Sequence, residues 1–459
     1  MRLRYFTVYL CMCACFIFLF FSCSTTGGLD VVPENFPTEE LQPKDTGLAP
    51  EGTEVDETDV AVGGDEKAAG LDTGGVSGEP SNESVVVAPT PSRLVLTFGG
   101  DIMAHTPNFS MDDYSMIYAD IEEIIKNDDL SFANLETPVH GGRPYESYPT
   151  FNVQPPYAQA AIDAGFDVFS LANNHTNDQG YEGMEETLGF FQPKEAEGVY
   201  AAGIKPEGHR GFSYQLIEFG QWKVLFVALT EILNSFADYE KLDYVAPNAN
   251  RRKTLAQELT QLRQDNPCDL FVVSLHTCED EYVHEITQVR RDFYRLLLDN
   301  GVDIVWANHP HLAKEWEVFT AQGEEFSHAV AMYALGNTIS GQRWDPQFTK
   351  PETNRDYTGD GYLIQVVVEK DAPPPPSAGV TSATAPLESD APYKPNFRIV
   401  EVVPHLITTY IDGDNNYLIR RLTDDFIQEL RDQGNKKWAD YLAARKALME
   451  RIGRKDVVR

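Results

Sequence analysis

Positive charge is scarce in this chain. Its 37 Lys and Arg stand against 71 Asp and Glu, a formal net charge of −34 with a pI near 4.6. Binding nucleic acid requires clustered cations to neutralise phosphates, and docking on anionic lipid by charge requires the same. Neither class fits, and no nucleic-acid partner is expected. Cysteine is also scarce. Of the six present, Cys11, Cys13 and Cys15 sit in an N-terminal apolar run, which leaves Cys23, Cys268 and Cys278. The last two flank a predicted strand, Asp269–His276. At about 3.3 Å per residue they stand roughly 25–30 Å apart, too far for a disulfide. No internal repeat is present. The most apolar run, Tyr5–Phe21, falls short of the ~20 residues a spanning helix needs.

That run reads as an export signal. Arg2 and Arg4 precede it, and Ser22-Cys23 follow it. A small residue, then Cys, then Ser24-Thr25-Thr26-Gly27-Gly28 resembles a bacterial lipoprotein signal, with residues 1–22 removed and Cys23 lipidated. The alternative is an uncleaved membrane anchor; both place the rest of the chain on the outer side of the inner membrane. Residues 23–92 read as an acidic, disordered tether. They carry Pro and Gly throughout and only Lys44 and Lys67 as cations, so they cannot bury enough apolar surface to offset chain entropy. A spacer is the plainer reading, a binding tail the other.

From Arg93 the chain alternates. Leu94–Phe98, Leu130–Ala133 and Gly165–Leu171 read as strands. Ile117–Asn127, Gln154–Ala164 and Tyr181–Gln192 read as helices. This β-α alternation predicts helices packed on a sheet. Phe212–Phe219 and Trp222–Leu229 read as a hairpin across Gly220-Gln221. Helices over Arg251–Arg263 and Glu285–Asp299 alternate with strands over Leu270–Leu275 and Val302–Trp306. Glu315–Phe319, Ala329–Leu335, Gly361–Glu369 and Phe397–Val403 complete the strands. Residues 371–392 read as a Pro-, Ala- and Ser-rich insertion, and the C-terminal stretch as two helices. The domain plan is therefore 93–345 for the main α/β domain, 346–412 for completing strands and 413–459 for C-terminal helices.

Five strand ends carry groups able to hold a divalent metal: Asp101, Glu136, Asn174 with His175, His276, and His309 with His311. Four of the ten histidines lie at these ends. Imidazole and carboxylate suit transition metals, and a two-metal site needs a bridging carboxylate with ligands from several strands. Singly, each has a plainer explanation: Asp101 a cap, Glu136 a surface acid, His276 a satisfied core histidine. Ser170–Gly180 taken alone could be an ordinary Asn- and Asp-rich turn. His309-Pro310-His311 points harder to a site, because two imidazoles stiffened by Pro can face one point.

The order of Gly99-Gly100-Asp101, Asn134-Leu135-Glu136-Thr137-Pro138, Ala172-Asn173-Asn174-His175-Thr176-Asn177-Asp178, Ser274-Leu275-His276, His309-Pro310-His311 and Leu335-Gly336-Asn337 resembles the CapA-type poly-γ-glutamate capsule-synthesis family. That family is a branch of the calcineurin-like metallophosphoesterase superfamily. The resemblance implies a four-layer α/β/β/α sandwich, here with a C-terminal helical appendage, and two divalent ions (Mn, Fe or Zn) at the strand ends. It implies Asp101, Glu136, Asn174, His276, His309 and His311 as metal ligands, with Glu136 bridging. His175 is the candidate proton donor and Asp178 its orienting partner; Asn134, Glu281 and Asn337 are candidate substrate-binding residues. Met103 stands where the superfamily carries His, and His105 is a candidate to reach in.

Two function classes follow. One is a lipid-anchored envelope hydrolase acting on a phosphoester or an amide-linked polymer. The other is a non-catalytic component that binds or guides an acidic capsule polymer. A tethered surface lipoprotein presenting itself to other proteins is a third reading, carried only by the spacer.

Overall fold

The computed structural model describes residues 92–370 and 395–459. The export signal, Cys23, nearly all of the tether and the 371–392 insertion lie outside the described residues. No helix among the described residues is long and apolar enough to cross a membrane.

The first parallel run is β1 (Ser92–Ile102), β2 (Leu130–Leu135), β3 (Val168–Ser170) and β4 (Tyr200–Ala202), laid side by side in reverse order. β5 (Tyr214–Phe219) and β6 (Trp222–Thr230) form the expected hairpin. β7 (Leu270–His276) and β8 (Ile304–Asn308) then add parallel to β6. β9 (Trp316–Thr320), β10 (Ser327–Met332) and β11 (Asn337–Ile339) follow. β12 (Asp360–Lys370) and β13 (Arg398–Ile411) form a long antiparallel pair beside β1. β14 (Tyr417–Arg421) and β15 (Arg454–Val458) close the chain. A bridge between Ser327 of β10 and Ile399 of β13 joins the two wings at one edge.

The buried side chains sort into layers. Phe98, Phe132 and Val168 of one wing meet Phe226, Val272 and Trp306 of the other in a shared core. The outer face of the first wing is covered by helices Pro155–Ala164 and Gly180–Phe191 through Tyr157, Ala161 and Met184. The outer face of the second is covered by Ala249–Asp265 and Gln288–Asp299 through Leu255, Leu259, Phe293 and Leu297. Helix, sheet, sheet, helix is the predicted four-layer α/β arrangement. Strands buried on both faces explain why β7 reads as an unbroken apolar run, Leu-Phe-Val-Val, rather than an alternation.

Local chemistry sets the boundaries. Pro155 at the first helical turn fits a position whose N–H has no helical acceptor, and Gly165 at φ 121° ends that helix where a side chain would be strained. Asn248 and Thr287 cap their helices by accepting from Arg251 and Arg290 backbone N–H.

Three expectations need correction. The helix over Ile117–Asn127 is two single turns, Ser115–Tyr118 and Glu122–Ile125. The break coincides with Asp120, whose carboxylate accepts from Arg421 N–H on β14 at 2.6 Å. β13 does not stop before Pro404 but runs to Ile411, with Pro404 opposite Ile364. The C-terminal stretch holds two strands besides its helices: β14 pairs with β13, and β15 pairs in parallel with β9.

The C-terminal helices, Asp424–Asp432 and Lys436–Met449, are present and firmly attached. Asp360 at the start of β12 is wholly buried between Arg343 Nη1 at 2.7 Å and Arg445 Nε at 2.6 Å. Tyr441 donates to Asp356 at 2.7 Å.

Candidate metal centre

Parallel register brings the chemistry to one edge. Asp101, Asn134, Ser170 and Ala202 are neighbours across β1 to β4. Thr230, His276 and Asn308 are neighbours across β6 to β8. The wings are locked beneath this edge by Trp306 Nε1, which donates to Gly99 O at 2.8 Å. The backbone at Gly100 runs so close to Gly336 that a Cβ there would lie 1.9 Å from the Gly336 carbonyl oxygen. That close approach seats Asp101, whose N–H donates to the same oxygen at 3.0 Å.

Six predicted ligands converge. His276 Nε2 lies 2.7 Å from Asn174 Oδ1, 3.2 Å from His309 Nδ1 and 3.5 Å from Glu136 Oε1. His311 lies 3.2 Å from Asp101 Oδ2 through Nδ1 and 3.8 Å from Glu136 Oε1 through Nε2. His309 and His311 both adopt left-handed backbone, φ 107° and 56°, with Pro310 between them. Such strain costs on the order of 1–3 kcal/mol per residue and persists only where surroundings enforce it. Here Tyr282 N–H donates to Pro310 O at 3.0 Å.

Two triads have ligand atoms within 4.8 Å of one another: Glu136–His309–His311 and Asp101–Glu136–His276. Glu136 belongs to both. They divide the imidazoles differently from the contacts around His276 Nε2, which group His276 with His309. His276 Nε2, at 2.7 Å from Asn174 Oδ1 and 3.2 Å from His309 Nδ1, sets those three side chains about one point.

The donor set fits a divalent cation. Both oxygens of Glu136 are buried without a hydrogen-bond partner among the described residues, and Oδ2 of Asp101 has the His311 imidazole at 3.2 Å. Leaving a carboxylate so placed costs free energy, which a bound cation offsets. The protonation states agree. Burial, then the field of neighbouring imidazoles, holds His309 well below its ordinary range. Burial drives His276 down to about 3 against the pull of Asp101. Both are therefore neutral, the form that binds metal. Burial, then Asp101, raises Glu136 well above the carboxylate range. Burial lowers His311, but Glu136, Asp101 and Glu281 outweigh it and lift it to about 10.

These signs carry a prediction. His311, lifted to about 10, holds its extra proton at pH 8 and must release it to bind metal. Loading the stripped protein at pH 8 is therefore expected to release protons, chiefly from His311, and affinity should climb with pH. Calorimetric titration in buffers of different ionisation enthalpy reads this directly. A heat independent of buffer contradicts it, and His311→Ala should lower the proton count.

His175 sits beside the ligands. Its Nδ1 lies 2.7 Å from Asp178 Oδ2, which also accepts from Phe151 N–H at 2.8 Å. Phe151 packs edge-on against the His175 ring, with centroids 4.6 Å apart. Asn134 is buried, donating to Asp101 Oδ1 at 2.8 Å and lying 3.3 Å from His276 Nδ1, so it orients two ligands. Asn337 puts Oδ1 at 3.2 Å from His311 and spends its amide N–H groups on Ser340, Gln342 and Thr358. Glu281 is exposed, outside the cluster but near enough to act on His311. His105 is buried and accepts from Gly341 N–H at 3.2 Å; it belongs to neither triad.

Two residues escaped sequence reading. Asn234 Nδ2 lies 3.3 Å from His175 Nδ1, and its N–H donates to Asn174 O. Glu231, wholly buried, binds Arg252 and Arg290, and its N–H donates to His276 O at 2.8 Å. Both follow β6. Reading β6 only as a hairpin arm hid that its end joins the row containing His276.

The family model described as bacterial capsule synthesis protein PGA_cap matches residues 95–342, more than half the chain. The capsule biosynthesis protein CapA of Bacillus anthracis is 26% identical over 275 residues, covering 56% of this chain and 63% of that protein. The PGA biosynthesis protein CapA of Bacillus subtilis is 24% identical over 267 residues, covering 56% and 67%. Among solved structures, the calcineurin-like phosphoesterase YfkN of Bacillus subtilis aligns over 77% of this chain and 100% of that one, at 9% identity and TM-score 0.36. The chain belongs to the bacterial capsule synthesis PGA_cap family.

Proposed function

We propose that this protein is a cell-envelope, metal-dependent hydrolase that cuts a phosphoester or amide linkage in an envelope polymer. The observation that carries the reading is Glu136, a buried carboxylate with no hydrogen bond to its oxygens among the described residues, common to two ligand triads. Asp101, Glu136 and His311 would hold one ion, and Glu136, Asn174, His276 and His309 a second. Ions bound there supply Lewis acidity toward a developing oxyanion and a nucleophile at neutral pH. Asn134 keeps Asp101 and His276 oriented, and Glu231 fixes the backbone at His276. With Nδ1–H held by Asp178, the doubly protonated His175 ring would give its Nε2 proton to the leaving group. Asn234, packed against the ring, restricts its rotation. The N-terminal segment would anchor the enzyme through a lipid on Cys23, with the acidic stretch as spacer.

The test is metal analysis of the purified protein with hydrolysis of a generic phosphodiester. Bound Mn, Fe or Zn is expected, together with a rate that falls at least about a hundredfold in His309→Ala. A metal-bearing protein without hydrolysis, which still retains capsule polymer, would favour the polymer-guiding role.

A further inference from the structure

The buried and half-buried arginines are mostly matched to acids: Arg252 and Arg290 to Glu231, Arg263 to Asp303, Arg445 to Asp360. Arg355 is not. It is half-buried, and its sole hydrogen bond among the described residues runs from Nη1 to Gln342 O at 2.8 Å. No described carboxylate forms an ion pair with it. Its guanidinium instead lies 5.1 Å from the ring centroid of Trp344, which is 38% exposed.

This pair stands at the rim of the metal cluster. The Gln342 side chain accepts from Asn337 Nδ2 at 2.9 Å and donates to Tyr282 OH at 3.3 Å. Asn337 in turn faces His311. Next to Gln342, Gly341 N–H donates to His105. Arg355 is thus one residue outward from the wall of the centre.

The segment carrying it is held rigidly. Arg343 is wholly buried against Asp360. Thr353 caps the turn Asn354–Tyr357, and Asp356 accepts from Gln347 N–H at 2.9 Å and from Tyr441 OH at 2.7 Å. A guanidinium offers five N–H donors in a planar fork suited to carboxylate or phosphate. One is used here, and an aromatic face backs the cation. The positions lie beyond residues 95–342, so the family match does not account for them.

We propose that Arg355, backed by Trp344, is a second anion-binding point that engages a carboxylate or phosphate of an extended substrate whose neighbouring unit occupies the metal centre. The proposal rests on the hydrolase reading and deepens it: the substrate is a chain of repeating anionic units, not a lone monoester.

The test uses the full chain loaded with metal. Binding of a γ-linked oligoglutamate and of inorganic tripolyphosphate is compared with that of free glutamate and orthophosphate, for the parent, Arg355→Gln, Arg355→Lys and Trp344→Ala. The parent is expected to prefer at least one chain over its monomer. Arg355→Gln should weaken that chain at least about tenfold, with unchanged metal content and melting temperature; Arg355→Lys should recover part of the loss. Loss with oligoglutamate alone assigns a carboxylate, loss with tripolyphosphate alone a phosphate, and loss with both a general polyanion site. Chain binding by Arg355→Gln equal to the parent overturns the proposal, as does a parent with no preference for chain over monomer. Metal content of the same samples separates the failures. A metal-free parent defeats the hydrolase reading, whereas a metal-loaded Arg355→Gln that binds normally defeats only the second anion point.

Discussion

Glu136→Gln is expected to empty the metal centre and to cost at least about a thousandfold in hydrolysis. The substitution keeps volume and shape, so nothing need move. It removes the single group shared by both triads, whose two oxygens are buried without a hydrogen bond among the described residues. An amide oxygen can accept a weak interaction but brings no charge, and four buried imidazole and carboxylate neighbours cannot compensate. The metal-free variant should melt within a few degrees of the metal-free parent, because an amide keeps the shape of the carboxylate and the Glu136 oxygens have no hydrogen-bond partner among the described residues. Metal analysis and a phosphodiester rate, read with a melting curve, check all three expectations. Full occupancy in the variant would show that Glu136 is not a shared ligand.

Gly100→Ala is expected to be the most damaging single-methyl change near the site. The added carbon would lie 1.9 Å from the Gly336 carbonyl oxygen and 2.8 Å from its carbon. Both are backbone, so no side chain can swing aside. β1 and β11 would have to separate, losing the bond from Asp101 N–H to Gly336 O and the one from Gly100 N–H to Thr338 Oγ1 at 2.8 Å. The cost should exceed about 4 kcal/mol, which for a domain of this size lowers the melting temperature by roughly ten degrees or yields insoluble protein. Gly413→Ala is the control, because an added carbon there meets nothing within 4 Å. Equal melting of Gly100→Ala and the parent would contradict the close approach that seats Asp101.

Much of this was legible because the strands that build the edge are buried on both faces and end abruptly in polar residues. Val168–Ser170 and Leu270–His276 announce themselves by apolar runs, and Asn174, His175 and His276 by their abrupt polarity. Parallel register then does what sequence cannot display, setting Asp101 beside Asn134 and His276 beside Asn308. Elements specified by partners rather than by their own pattern stayed hidden. β15, Arg-Lys-Asp-Val-Val, is exposed nearly throughout and exists through its backbone pairing with β9. The Ile117–Asn127 periodicity is real, since Ile117, Ile121, Ile124 and Ile125 are all buried. Periodicity describes burial, however, and Asp120 spends its carboxylate on a strand three hundred residues later in the chain. Asn234 reached the site on an irregular loop with no period to read. Arg355 could not be singled out among the basic residues until its neighbours showed no acid.

The central claim is that buried acids and imidazoles from separate strands hold divalent ions around Glu136. Anomalous diffraction from crystals of the full chain, collected across the Mn, Fe and Zn absorption edges, tests it most directly. Peaks bonded to the Glu136 carboxylate are expected, with Asp101, His276, His309 and His311 completing the ligands. No peak at any edge, or a peak bonded to none of these side chains, would contradict it.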